Sequence, residues 1–184
     1  MYQFKPYNQT ATTIQTRLDD LLSSLNLTNR QEAYRRILSV IDLTTLSGDD
    51  TDERVINLCK QAINFKSTEK NTDQVAAVCV YPIFAELVHQ NLIDTGIKTA
   101  CVESAFPSGQ SPIGLRVEEV AWAVQFGADE IDMVISRGKL IEGNEDYVLQ
   151  EVEDIKNACG EAHLKVILET GELKTIELIR KASE

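Results

Sequence analysis

The sequence predicts an α/β fold of the TIM (β/α)8-barrel type, of which these 184 residues carry about five βα units behind N-terminal helices. Three observations lead there. From residue 39 onward, short apolar runs alternate strictly with helical patterns at roughly thirty residues per unit, which implies a parallel sheet covered by helices. Within the runs one face is uniformly apolar (Ile41, Leu43; Ala76, Val78, Val80; Ile131, Met133, Ile135; Leu164, Val166, Leu168) and the other is mixed (Asp42, Thr44; Cys79, Tyr81; Glu130, Asp132; Lys165, Glu169). An open doubly wound sheet needs apolar groups on both faces, because helices cover both. A barrel keeps its helices outside and can hold charged groups inside. Finally, no run is followed by a GxGxxG or GxxxxGK[ST] loop, the usual nucleotide-binding signatures of open α/β sheets.

Residues 1–38 read as a helical extension and 39–184 as the partial barrel. Ile14, Leu18, Leu21, Leu22 and Leu25 fall on one helical face, a stripe expected to pack on the domain or on a partner subunit. Thr28 and Gln31 have capping-box spacing and open a second helix to about Leu38. The first strand is expected over Val40–Thr44, followed by a helix capped by Asp50 and Glu53 that runs to about Phe65. The second strand, Val75–Tyr81, stops at Pro82, and its helix reaches Gly96, a plausible C′ residue. The third, Lys98–Ser104, is closed by Phe106-Pro107-Ser108-Gly109, with a helix over Leu115–Phe126. The fourth is Glu130–Ser136, with Asn144 or Glu145 opening a helix to about Cys159. The fifth is Leu164–Thr170, before a last helix over Leu173–Ser183.

Composition narrows the function class. The formal net charge of −11 argues against a nucleic-acid partner, which needs a basic footprint, but leaves room for a small phosphorylated substrate. No apolar run approaches the ~20 residues that span a bilayer, and the first residues lack a signal-peptide pattern. Cys59, Cys79, Cys101 and Cys159 are widely spaced with no CxxC pair, which reads as reduced, buried thiols in a cytoplasmic protein. His89 and His163 are isolated, so no metal site is expected.

The mixed strand faces carry the chemistry. Asp132 and Lys165 fall on the inward faces of consecutive strands, and a spacing of ~4.8 Å lets the carboxylate reach the ammonium. Asp42 lies inward on the first strand and could join the same network, which would offset the cost of burying each charge. A buried ion pair that merely fills the barrel is the plainer reading of the same residues. Of the ten lysines only Lys165 is embedded in a strongly apolar strand, as amine catalysis on a carbonyl would require. Its place near the start of the strand and its acidic neighbour argue for an electrostatic partner rather than a nucleophile. Cys79 and Tyr81 face inward toward the C-terminal end of the second strand. Cys79 is most simply packed core, and Tyr81 can line a polar cavity.

On these residues the chain resembles the deoxyribose-phosphate aldolases, class I (Schiff-base) aldolases. The matching segments are Asp42-Leu43-Thr44-Thr45-Leu46, Val78-Cys79-Val80-Tyr81-Pro82, Phe106-Pro107-Ser108-Gly109, Gly127-Ala128-Asp129-Glu130-Ile131-Asp132, Gly143-Asn144 and Leu164-Lys165-Val166-Ile167-Leu168-Glu169-Thr170-Gly171, in order over about residues 39–184. The resemblance implies reversible retro-aldol cleavage of 2-deoxy-D-ribose 5-phosphate to glyceraldehyde 3-phosphate and acetaldehyde, a step of deoxyribonucleotide catabolism, with no metal or organic cofactor. It implies Asp132 in the proton relay and Lys165 as the auxiliary lysine, with Asp42, Thr44, Cys79 and Tyr81 lining the substrate cavity. It places the Schiff-base lysine on a sixth strand, a lysine that tunes it on a seventh, and the phosphate-holding loops later still. The sequence stops in the helix before that sixth strand. The expectation is therefore a truncated barrel, inactive on its own; the alternative is a non-catalytic interaction or scaffold module. A homodimer is compatible with the acidic surface and the amphipathic N-terminal helix.

Overall fold

The structure, a computed structural model, describes residues 9–25, 29–65 and 74–184. Two helices, α1 (Ala11–Ser24) and α2 (Arg30–Leu38), precede five strands: β1 (Asp42–Thr44), β2 (Ala77–Val80), β3 (Lys98–Glu103), β4 (Glu130–Val134) and β5 (His163–Ile167). The helices between and after them are α3 (Asp52–Asn64), α4 (Ala85–Leu92, entered through a 3-10 turn at Pro82–Phe84), α5 (Ile113–Gln125), α6 (Arg137–Ile141), α7 (Glu145–Cys159), α8 (Thr170–Leu173) and α9 (Ile176–Ser183).

All neighbouring strands pair in parallel, and they lie in the order β1-β2-β3-β4-β5. A doubly wound sheet reverses its order at a switch point, whereas a barrel adds each strand beside the last. Curvature settles the matter. In a flat sheet β1 and β5 would stand about 19 Å apart, at four spacings of ~4.8 Å, yet Lys165 on β5 bonds Asp42 on β1. The sheet is rolled, and its concave side is the interior of a partial TIM-type barrel.

The two faces differ as the alternation predicts. On the interior side Ala77, Cys79, Ala100 and Val102 form a small apolar cluster with Leu46, Tyr81 and Phe106 against it. On the helix side Val78, Val80, Cys101, Ile131, Met133 and Ile135 meet the buried stripes of the helices, among them Val55, Cys59 and Ala62 of α3 and Val148, Ile155 and Cys159 of α7. Burying each large aliphatic chain there contributes roughly 1.5–3 kcal/mol. All four cysteines are buried and unbridged. Gly109 (φ +68°) follows β3, and a Cβ there would stand 2.8 Å from the Ile135 carbonyl oxygen, so the β3–α5 loop can pack on the end of β4 only with glycine.

Several boundaries differ from the sequence expectation. The α1 stripe exists, but it packs on no described part of the domain: Ile14 to Leu25 remain 37–64% exposed. Thr28 lies outside the described residues, and the cap of α2 is Asn29, which accepts from Glu32 N–H. The cap of α3 is Thr51 rather than Asp50 or Glu53, because Asp50 is taken up by the Thr45 hydroxyl and Ser47 N–H. β1 starts at Asp42, leaving Val40 exposed, and β4 stops at Val134, since Ser136 N–H turns to Glu151. β5 ends at Ile167, before the left-handed Glu169 that starts α8. The expected last helix is two: Lys174 (φ 62°) breaks it, and Thr175 caps α9 by accepting from Leu178 N–H.

Candidate active site

Strand register assembles the site. Asp132 and Lys165 are Cα partners across β4 and β5, and Glu130 stands two residues before Asp132 on the same interior face. The Lys165 ammonium lies 3.0 Å from Asp132 Oδ1, 3.0 Å from Glu130 Oε2 and 2.5 Å from Asp42 Oδ2. It donates a hydrogen bond to Asp42, whereas Asp132 Oδ1 is buried and off hydrogen-bond alignment. One cation thus ties both edges of the rolled sheet to three carboxylates.

The charges of this network are set by opposing causes. Burial disfavours the Lys165 ammonium, but its close contacts with the carboxylates of Asp42, Glu130 and Asp132 outweigh it and hold the lysine well above its usual range. The balance is physically reasonable. An opposite charge at about 4 Å is worth roughly 4 kcal/mol at an effective dielectric of 20, and Lys165 keeps part of its surface in water. Asp132 moves up instead, because its burial and the Asp42 and Glu130 charges together exceed the pull of Lys165. The arrangement provides a persistent interior cation beside an acid with raised proton affinity.

Cys79 lies on the same face, its thiol 3.9 Å from Asp132 Oδ2, and burial followed by the Asp132 charge pushes it up to about 12. It is a packed, protonated thiol there. Thr44 is the register partner of Cys79, and its hydroxyl donates to the Asp42 carbonyl. Tyr81 extends β2 toward the mouth, where its ring meets Phe106 edge-on, with centroids 6.2 Å apart. The structure therefore brings Asp42, Thr44, Cys79, Asp132 and Lys165 together, with Tyr81 one layer higher.

Sequence reasoning placed Glu130 on the mixed face without assigning it to the site. The signal was its spacing of two from Asp132. Leu46 and Phe106, apolar residues of the interior, were passed over because they lie in loops outside any alternating run. A second network was missed altogether. Buried Arg116 of α5 pairs with buried Glu151 of α7 at 2.8 Å and also donates to the Ser104 and Ser136 hydroxyls and the Val134 carbonyl. It fastens the C-terminal ends of β3 and β4, the positions from which barrel sites are built. Beside them a cavity of about 580 Å³ is lined by Ser108, Ser111, Arg137, Lys139, Tyr147 and Glu172 among others.

A family model described as DeoC/LacD family aldolase matches residues 36–184. The chain belongs to the DeoC/LacD aldolase family. Among solved structures it is similar to one assigned as a deoxyribose-phosphate aldolase from Coccidioides immitis, at 31% identity and a TM-score of 0.71, covering 81% of this chain and 55% of that one. One with the same assignment from Toxoplasma gondii ME49 has 27% identity and a TM-score of 0.72 over 84% of this chain and 56% of that one. The tetrameric deoxyribose phosphate aldolase from Aeropyrum pernix has 26% identity and a TM-score of 0.65, covering 95% of this chain and 67% of that one. The chain thus spans little more than half the length of the first two. In this family member, among the described residues, no cluster of His, Cys, Asp or Glu is placed to hold a metal ion, and no helix is long and apolar enough to cross a membrane.

Proposed function

We propose that this chain carries the first five βα units of a deoxyribose-phosphate aldolase barrel, whose reaction is the reversible retro-aldol cleavage of 2-deoxy-D-ribose 5-phosphate into glyceraldehyde 3-phosphate and acetaldehyde. The observation that supports it is the interior network, in which the Lys165 ammonium stands among Asp42, Glu130 and Asp132 on the concave face of a family barrel sheet. In this reading Asp132, with its raised proton affinity, takes up and returns protons as the amine–carbonyl adduct forms and collapses. Lys165 stays charged and holds Asp132 in place, while Asp42, Thr44, Cys79 and Tyr81 shape the cavity. The lysine that would form the Schiff base belongs to a sixth strand, outside these 184 residues. Turnover is therefore assigned to a barrel that includes that sixth strand.

The same reading makes residues 1–38 a helical extension distinct from the barrel of 39–184. It assigns self-association to the completed protein, in keeping with the tetrameric Aeropyrum pernix enzyme. The four free thiols fit the reducing conditions of the cytoplasm.

A chimera tests the assignment: residues 36–184 joined to the remaining barrel strands of the Coccidioides immitis protein, assayed for acetaldehyde release. The expected result is measurable turnover that falls on the order of 10²–10⁴-fold with Asp132→Asn, the range lost with a proton-transfer group. Turnover by the chimera that Asp132→Asn leaves unchanged would remove Asp132 from the relay.

A further inference from the structure

On the helix side of β3, away from the interior network, Glu103 is completely buried and neither carboxyl oxygen has a hydrogen-bond partner. The charge acting on it is the carboxylate of Glu119, from α5 above. One Glu119 oxygen, Oε2, accepts both Ser104 N–H at 2.8 Å and Ala105 N–H at 3.0 Å. Those two residues have φ of 68° and 58°, a left-handed pair that non-glycine residues rarely form without external support. They turn the chain out of β3 into the loop that carries Phe106 to the interior wall.

Glu103 is buried and Glu119 partly exposed, so a neighbouring like charge makes the buried one of the two the carboxyl that stays neutral. An unpartnered buried carboxylate is also far more costly than a neutral acid that donates to its neighbour. The geometry points to a proton-sharing latch, in which Glu103 as the neutral acid donates to Glu119 and Glu119 holds the Ser104–Ala105 turn and hence the Phe106 side of the cavity. Glu119 and Glu103 are then positioning residues, and the latch is weakened when the proton leaves.

The surrounding groups fit this division of roles. Two thiols also feel Glu103, Cys101 on its own strand and Cys159 on α7. Arg116, one turn before Glu119, is committed to Glu151, Ser104, Ser136 and the Val134 carbonyl. Burial first, then Glu119, raises Glu103 to about 9. Because the folded value lies above the unfolded one, the stabilisation is complete below the ordinary glutamate range and is lost progressively as pH rises to about 9.

The test uses the 184-residue chain and its Glu103→Gln variant, whose amide donates to Glu119 at every pH. Folding equilibria from urea titrations, followed by the single tryptophan Trp122 one turn beyond Glu119, give the ratio of wild type to variant. The expected ratio falls on the order of tenfold per pH unit between about pH 6 and 8 and levels off above about pH 9. Amide protection at Ser104 and Ala105 follows the same profile in wild type and stays constant in the variant. Carbon-13 spectra of the wild type alone should show one glutamate carboxyl still protonated at pH 7. A flat ratio, or glutamate carboxyls that all titrate below about pH 6, would overturn the latch. So would protection at Ser104 and Ala105 that does not change with pH.

Discussion

Lys165 is the residue on which the interior depends, because it is the cation that three carboxylates share. Replacing it with methionine leaves Asp42, Glu130 and Asp132 facing one another without compensation. Removing one partner of a buried pair typically costs about 3–5 kcal/mol, and the partial exposure of Lys165 and Asp42 reduces this to about 2 kcal/mol at neutral pH. The pH window differs between the two proteins, although both lose stability as pH rises. In wild type the lysine is raised, so its contribution is full below its unfolded value and is lost only at strongly alkaline pH. In Lys165→Met the buried Asp132, raised already by its burial, loses the lysine that opposed the rise, so the variant regains stability as pH falls toward the ordinary carboxylate range. Urea titrations of both proteins at about pH 5 and 8 should show the gap narrowing at the lower pH. A gap that widens on acidification would mean that the three carboxylates are solvated rather than coupled.

Among the elements, the β3–α5 and β4–α6 connections are held by a buried ion pair rather than by loop chemistry. Arg116→Met strands the buried Glu151 carboxylate, so a loss of about 3–5 kcal/mol is expected, whereas the double variant Arg116→Met/Glu151→Leu should recover most of it. Thermal unfolding of the two variants distinguishes this from simple loss of packing, in which the double variant would be the less stable. None of this was legible in the sequence, because Arg116 and Glu151 sit 35 positions apart on different helices and read as solvated charges. Element type and order were legible, since the period-two and helical patterns in this chain are strong. Boundaries were less so. Thr51 and Thr175 cap their helices through side-chain bonds that compete with equally plausible acidic neighbours, and the left-handed Glu169 and Lys174 have no glycine to announce them.

For the whole molecule, the face alternation that marked the interior of the strands also predicted the rolled sheet, and it brought Asp42, Asp132 and Lys165 onto one side before any geometry was known. Glu130 escaped assignment for want of register, and Phe106 because loop residues carry no periodic signal. The five parallel strands hold an ammonium among carboxylates, which suits proton management but not attack on a carbonyl. The central claim is that Lys165 is a charged partner and not the amine that forms the covalent adduct. The direct measurement is borohydride reduction of the mass-verified 184-residue chain in the presence of 2-deoxy-D-ribose 5-phosphate or acetaldehyde, followed by peptide mapping. The account predicts no adduct on the peptide containing Lys165; a reduced adduct on Lys165 would contradict it.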